Sequence, residues 1–262
     1  ATGALHRFED PDYLKREIAQ VSKEYRNRIG VSVGANIEFA DRLLGKVLDL
    51  NDFAFVIVDI AHGDHKHVEN MVTFLKNNFK TPIIAGNICN AAGARFLIEL
   101  GVDGIKVGVG PGSFCSTRIK TGCGKPQLSA IKEVADEIIK RTTISHPSVS
   151  RSLLHKKITL IADGGVKHEG DLVKAIAAGA DSVMIAGMIK EAKETPGSII
   201  SLNEKDKDGK MVSKMYKICK GSASADAQII HKEVEKKEIS EEGVAILVER
   251  QGEVAKRINE IA

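Results

Sequence analysis

Residues 104 to 124 read GIKVGVGPGSFCSTRIKTGCG, an apolar run that passes without a break into a loop of glycines, a proline and hydroxyl side chains. Gly104 to Val107 has the character of a buried strand. The loop behind it, Gly108 to Gly124, can bring backbone N–H groups close to an anion, because glycine takes up dihedrals that other residues resist. Cys115 stands in that loop among Ser113, Ser116 and Thr117 and close to Arg118, outside any apolar periodic segment. A neighbouring cation favours thiolate, so Cys115 reads as a nucleophile in preference to a structural cysteine.

On both sides of this stretch strands alternate with helices. Ala1 to Arg7 reads like the tail of a strand, and Asp10 with Pro11 supplies an N-cap and a first-turn proline for a helix to about Arg28. Strands are expected at Ile29 to Gly34, Ala54 to Ile60 and Thr81 to Ala85, with helices at Asn36 to Leu48, His65 to Asn78 and Ala91 to Leu100. Past the glycine loop come a helix from Gln127 to Arg141, a polar segment from Thr142 to Lys157 and a strand from Ile158 to Ala162. A helix from Glu169 to Ala178 and a strand from Ser182 to Ala186 follow. Strands apolar on both faces and separated by helices specify a parallel sheet covered by helices.

The residues that follow the strands indicate the sheet's shape. Asp59 with His62 and Gly63, Gly86 with Asn87, the Cys115 loop, Asp163-Gly164-Gly165 and Gly187 all stand just past strand ends. In a closed (β/α) barrel the loops at the carboxyl ends of the strands converge on one site, and phosphate is often held after the seventh and eighth strands. A doubly wound open sheet is the alternative, with its ligand in a single crevice. Seven strands are legible where a barrel takes eight. The expected fold is therefore an α/β (β/α)8 TIM barrel lacking its first βα unit in this chain, one domain over 1–262. A mobile flap is expected at about 190–253, a polar stretch that reads as a solvated hairpin or a lid. Val254 to Ile261 looks like the start of a helix.

Composition excludes several classes. The net charge of +3 is spread along the chain and there is no tryptophan, which speaks against a nucleic-acid surface. No apolar run approaches the roughly 18 to 20 residues of a membrane span and no signal core opens the chain, so a cytoplasmic protein is expected. Cys89, Cys115, Cys123 and Cys219 show no Cys-x-x-Cys pairing, so free thiols are expected and no structural zinc. His62, His65 and His67 read as solvated in preference to metal ligands. Asp59 also has a plain reading, as the cap of an Asx turn.

Taken together, the strand-end stretches resemble the IMP dehydrogenase and GMP reductase family. They are Val58 to Gly63, Ile84 to Asn87, Lys106 to Gly124, Pro126 to Ala130, Ile161 to Gly165, Gly170-Asp171 and Gly179 to Gly187, in the family's order, with GPGSxCxTR as the specific core. The resemblance implies a (β/α)8 barrel, a purine nucleoside monophosphate site and Cys115 as the residue that attacks purine C2. It assigns phosphate and nucleoside binding to Ser113, Gly164, Gly165, Gly187, Gly221 and Ser222, with Asp163 on the ribose, and cofactor binding to Asp59, Ala61 and Asn87. It also implies a homotetramer and a monovalent cation, K+, at Gly110, Gly112 and Cys115.

Within the family, the dehydrogenase branch hydrolyses its adduct with a flap arginine, and this chain has no arginine from Ser152 to Glu249. A lysine cannot reproduce that planar fork. The reductase branch is the closer likeness: NADPH-dependent reductive deamination of GMP to IMP and ammonia, with Thr117 and Glu242 beside Cys115 as catalytic residues. IMP dehydrogenase activity and a catalytically silent nucleotide-binding barrel are the alternatives. The chain has Lys220 where the family commonly has tyrosine, and Ile239 where it usually has arginine.

Overall fold

Alternate residues of successive strands, from Val31 and Val33 to Leu160 and Ala162, enter one hydrophobic core, and the residues between them face the other way. A computed structural model describes residues 2–7, 11–47, 53–143, 157–195, 197–220 and 245–261. Its main sheet runs β1 (Gly3–Leu5), β2 (Ile29–Val33), β3 (Phe55–Asp59), β4 (Ile83–Ile88), β5 (Gly104–Val107), β6 (Thr159–Asp163) and β7 (Ser182–Met184). Each strand pairs with its sequence neighbour, and every pairing is parallel. Seven strands in chain order, with β1 and β7 as the edges, form the wall of a (β/α) barrel that takes eight strands to close.

Helices α1 (Pro11–Gln20), α3 (Ile37–Val47), α4 (Lys66–Asn78), α5 (Ala91–Glu99), α7 (Gln127–Thr143) and α8 (Glu169–Ala177) cover one face of this sheet, while the short helices α2 (Lys23–Arg26), α6 (Thr117–Thr121) and α9 (Ala186–Ile189) add nothing to the core of the described residues. The helix expected to reach Arg28 stops at Gln20, because Ser22 is extended, with φ −53° and ψ 139°. The last strand of the sheet also ends early, at Met184, and α9 begins at Ala186. Val68, Met71 and Leu75 of α4 and Leu97 and Ile98 of α5 are fully buried against the strands. Truncating such a leucine to alanine costs about 2–5 kcal/mol.

Polar residues punctuate the turns. Asn90 Oδ1 accepts from Gly93 N at 2.8 Å to cap α5, and His65 Nδ1 accepts from His67 N at 3.2 Å to cap α4. Asp171 of α8 accepts from the N–H groups of Lys167 and His168, which hold its carboxyl below the ordinary range. At the amino ends of the strands, Asp103 accepts from Ile83 N at 2.9 Å and Asp181 from Leu160 N at 2.8 Å. Each of these aspartates thus pins the start of a neighbouring strand, on the face that a barrel devotes to stability.

A second, antiparallel sheet follows α9. It consists of β8 (Ile199–Lys205), β9 (Met211–Lys220) and β10 (Ala245–Glu249), in the order β10-β9-β8, and α10 (Val254–Ile261) comes after it. The β8–β9 hairpin turns at Asp206, whose Oδ1 accepts from Asp208 N and Lys210 N at 2.9 Å each. β10 was not anticipated, since its short apolar run stands beyond a polar stretch. Lys217 of β9 is 1% exposed, and its ammonium donates to the carbonyls of Ala192, Lys193 and Thr195. Burial pushes its pKa down, with Arg250 adding to the effect, while the three carbonyls bind the sheet to the turns after α9. Among the described residues no helix is long and apolar enough to cross a membrane.

Candidate active site

Strand parity decides which side chains meet. Val56 and Val58, Ile105 and Val107, and Leu160 and Ala162 go to the helix-covered core. Asp59, Lys106 and Asp163 consequently share the opposite face of β3, β5 and β6. Pairing then brings their strands together: β3 joins β4, β4 joins β5 and β5 joins β6.

Lys106 is the centre of this face. Its ammonium lies 2.7 Å from Asp59 Oδ1 and 2.6 Å from Asp163 Oδ2, and the residue is only 4% exposed. Burial alone lowers a lysine pKa, but the attraction of Asp163 and Asp59 and hydrogen bonds to both outweigh it, so the net direction is up. Asn87, at the end of β4, adds Nδ2 to the same Asp163 oxygen at 2.9 Å and to Gly108 O at 2.8 Å. Its Oδ1 is buried and has no partner among the described residues, an acceptor that a bound group with an N–H can meet. The loop carrying Ala61, which is exposed, is tied to β4 by Ile60 N to Gly86 O at 3.0 Å and Gly63 N to Asn87 O at 2.7 Å.

The glycines bring the loops after β5, β6 and β7 together. Gly108 has φ +145°, and a methyl group on it would stand 2.0 Å from Asp163 O, so β5 and β6 meet there through bare backbone. A Cβ on Gly164 would lie 3.0 Å from Gly112 N, one on Gly165 would lie 3.2 Å from Pro111, and one on Gly187 would lie 3.3 Å from Ser113 Oγ. Ser113, Gly164, Gly165 and Gly187 are therefore on loops that touch one another. Gln127, the first residue of α7, fastens them by donating from Nε2 to Val107 O at 2.9 Å and Asp163 O at 3.1 Å.

Cys115 lies at the turn into α6. Its N–H donates to Gly112 O at 3.0 Å, and its Sγ donates to Thr117 Oγ1 at 3.2 Å. Thr117 is 9% exposed, and the hydroxyl of Ser116 is buried without a partner among the described residues. Arg118 donates to the carbonyls of Val109 and Lys125, so its guanidinium clasps the two ends of the loop. Gly112 and Cys115 close one turn, Cys115 N donating to Gly112 O, and Gly110 stands two residues before it. No group of three or more His, Cys, Asp or Glu side chains that could hold a metal ion occurs among the described residues.

Glu242, Gly221 and Ser222 lie outside the described residues. Two residues that sequence reading did not single out are Lys106 and Gln127. A lysine inside an otherwise apolar strand is a signal that could have found the first. No local pattern marks Gln127, whose acceptors are 20 and 36 residues away.

The model of the IMP dehydrogenase / GMP reductase domain matches residues 3–262. The chain belongs to the IMP dehydrogenase and GMP reductase family. It is 40% identical over 224 residues to an inosine-5'-monophosphate dehydrogenase of Aquifex aeolicus, covering 85% of this chain and 39% of that protein. It is 39% identical over 239 residues to a GMP reductase of Leishmania donovani, covering 89% of this chain and 43% of that one. Among solved structures, a cysteine-to-alanine variant of GMP reductase from Trypanosoma brucei, in complex with guanosine 5'-monophosphate, superposes with a TM-score of 0.69 at 36% identity. That match covers 89% of this chain and 44% of the other. The chain thus spans about two-fifths of the length of these relatives. IMP dehydrogenases and GMP reductases are oxidoreductases that work with nicotinamide cofactors. In this member of the family Asp59, Asn87, Asp163 and the Cys115 loop stand at the carboxyl ends of the strands, the side on which a barrel gathers its loops.

Proposed function

We propose that this chain is a GMP reductase barrel that converts GMP to IMP and ammonia at Cys115, with NADPH as reductant. The observation that carries the choice of branch is the absence of arginine from Ser152 to Glu249, because the hydrolytic half of the dehydrogenase reaction needs that group; Arg250, past β10, is followed by Gln251 and not by the tyrosine that the dehydrogenase pattern carries there. The pairing of Cys115 with Thr117 at 3.2 Å fits the covalent chemistry of the family as a whole, and relatives named GMP reductase stand beside ones named dehydrogenase.

In this reading the phosphate of GMP sits on the N–H groups around Ser113, Gly165 and Gly187, with Gly164, Gly221 and Ser222 completing the nucleotide site. The ribose meets Asp163. Cys115, as thiolate, adds to C2 and forms a C–S bond. The departing amine takes its proton through the Thr117 hydroxyl, oriented by Glu242, and leaves as ammonia. The cofactor, when bound, would supply the hydride that replaces the amine at C2. The C–S bond then breaks, returning the thiolate and releasing IMP. Asp59, Ala61 and Asn87 would hold the nicotinamide end of the cofactor, where the partnerless Asn87 Oδ1 suits a carboxamide N–H. Gly110, Gly112 and Cys115 would hold K+, whose charge would steady the loop. The segment at about 190–253 acts as the flap over this site, in a cytoplasmic homotetramer, and light scattering that finds only monomer counts against that assembly.

Turnover decides the matter. Oxidation of NADPH on addition of GMP is expected; reduction of NAD+ with IMP in its place would make the chain a dehydrogenase. Nucleotide binding without either reaction would leave a silent barrel. Names of dehydrogenases at the same level of identity make the second arm worth measuring.

A further inference from the structure

We infer that Lys106 is the positioning residue that makes this site selective for ribonucleotides. The inference rests on the nucleotide-binding reading above, and it concerns a lysine to which that reading gives no task. Asp163 Oδ2 receives two donors, Lys106 Nζ at 2.6 Å and Asn87 Nδ2 at 2.9 Å. That oxygen is taken up, so the carboxylate can rotate only by breaking two bonds, one of them charge-assisted. The other oxygen remains for an outside donor. Asp163 keeps 24% of its side chain exposed, against 5% for Lys106, and is followed directly by Gly164 and Gly165, which pack on the Cys115 loop at Gly112 and Pro111.

A carboxylate oxygen held in one direction beside the proposed phosphate site fits the hydroxyls of a ribose. Lys106 does not touch the sugar; it acts through Asp163. Its second contact, 2.7 Å to Asp59 Oδ1, holds β3 and β6 at a fixed separation on either side of the ammonium. A loose carboxylate would pay in orientation what a clamped one does not, and a sugar lacking hydroxyls would leave the clamped acceptor unpaired.

The test is the affinity ratio between GMP and its 2',3'-dideoxy analogue, measured by calorimetry on the intact chain. Wild type is expected to prefer GMP by about 10- to 100-fold, the range for hydrogen bonds to a charged group. Lys106→Met is expected to lose affinity for GMP while holding that for the dideoxy nucleotide within about threefold, collapsing the ratio. Lys106→Arg, which keeps a cation, is expected to restore part of it. Equal weakening of both nucleotides by Lys106→Met would mean a merely structural lysine and would overturn the inference. Should that variant not fold, Asn87→Ala removes the second donor to the same oxygen and is expected to lower the ratio at least about threefold; an unchanged ratio is equally fatal. A wild type that binds neither nucleotide would instead sink the nucleotide-binding reading.

Discussion

Cys115 Sγ and Thr117 Oγ1 stand 3.2 Å apart, thiol donating to hydroxyl, across the one intervening residue, Ser116, whose own hydroxyl is buried. The turn closed by Cys115 N on Gly112 O, followed at once by α6, produces that juxtaposition. Cys115→Ala is therefore expected to retain GMP binding and reduce NADPH oxidation to background. Thr117→Ala is expected to lower kcat by about 10²- to 10⁴-fold with a smaller change in KM, the usual scale for loss of an acid–base group. Steady-state kinetics of both variants check this, and an unaltered rate for Cys115→Ala would remove the nucleophile from the scheme.

Gly108→Ala should be severely destabilising. Its φ of +145° disfavours any side chain, and the added methyl group would meet Asp163 O at 2.0 Å, where the obstacle is backbone that cannot turn aside. A loss of more than about 3 kcal/mol is expected in urea unfolding, in the upper range of single substitutions. A loss under about 1 kcal/mol would show that the loops after β5 and β6 separate easily.

Alkaline stability should report on Lys106. Its pKa is higher in the folded protein than its ordinary 10.5, so its contribution is fully present below that value and disappears as pH rises through the folded one. Relative to Lys106→Met, the wild type is expected to hold a constant advantage from neutral pH to about 10 and lose it at higher pH. Chemical denaturation of the two proteins at a series of pH values tests the sign. An advantage that grows above pH 10 would contradict it.

Tyr216 offers a spectroscopic handle on the second sheet. Its hydroxyl donates to Glu204 Oε1 at 2.7 Å, and that hydrogen bond first, with burial and the charges of Glu204 and Glu249 after it, pushes its pKa up to about 12. With three tyrosines and no tryptophan, phenolate absorbance is readily followed. The last step of the titration is expected near 12 and should move down in Glu204→Gln. A titration curve identical in the two proteins would mean that β8 and β9 do not bring these side chains together.

Much of the barrel was legible because its strands are short, apolar and punctuated by helices with clear caps. Asn90 and Asp171 act within a few residues of where they stand, so local pattern reveals them, and the glycines stand out by their spacing although their contacts are distant. The strand-end residues were legible for a related reason, since parallel strands all deliver their carboxyl ends to one side. Other features were not. The break at Ser22 depends on one residue's backbone in a stretch with continuous helical spacing. The pairing of β10 with β9 joins segments separated by a polar stretch, and no local periodicity announces such a partner.

From its amino acids alone the chain declares an alternating α/β fold, a glycine loop bearing Cys115 and a family likeness, because periodicity, caps and contiguous motifs act over a few residues. Only the folded sheet decides that Lys106 stands between Asp59 and Asp163, 47 and 57 positions away, and that Gln127 closes over both strand ends. Strand parity turns that lysine away from the hydrophobic core, and pairing across β3 to β6 sets the carboxylates on either side of it. An ammonium in a buried strand is tolerable only beside such counter-charges, and contacts between distant parts of the chain supply them.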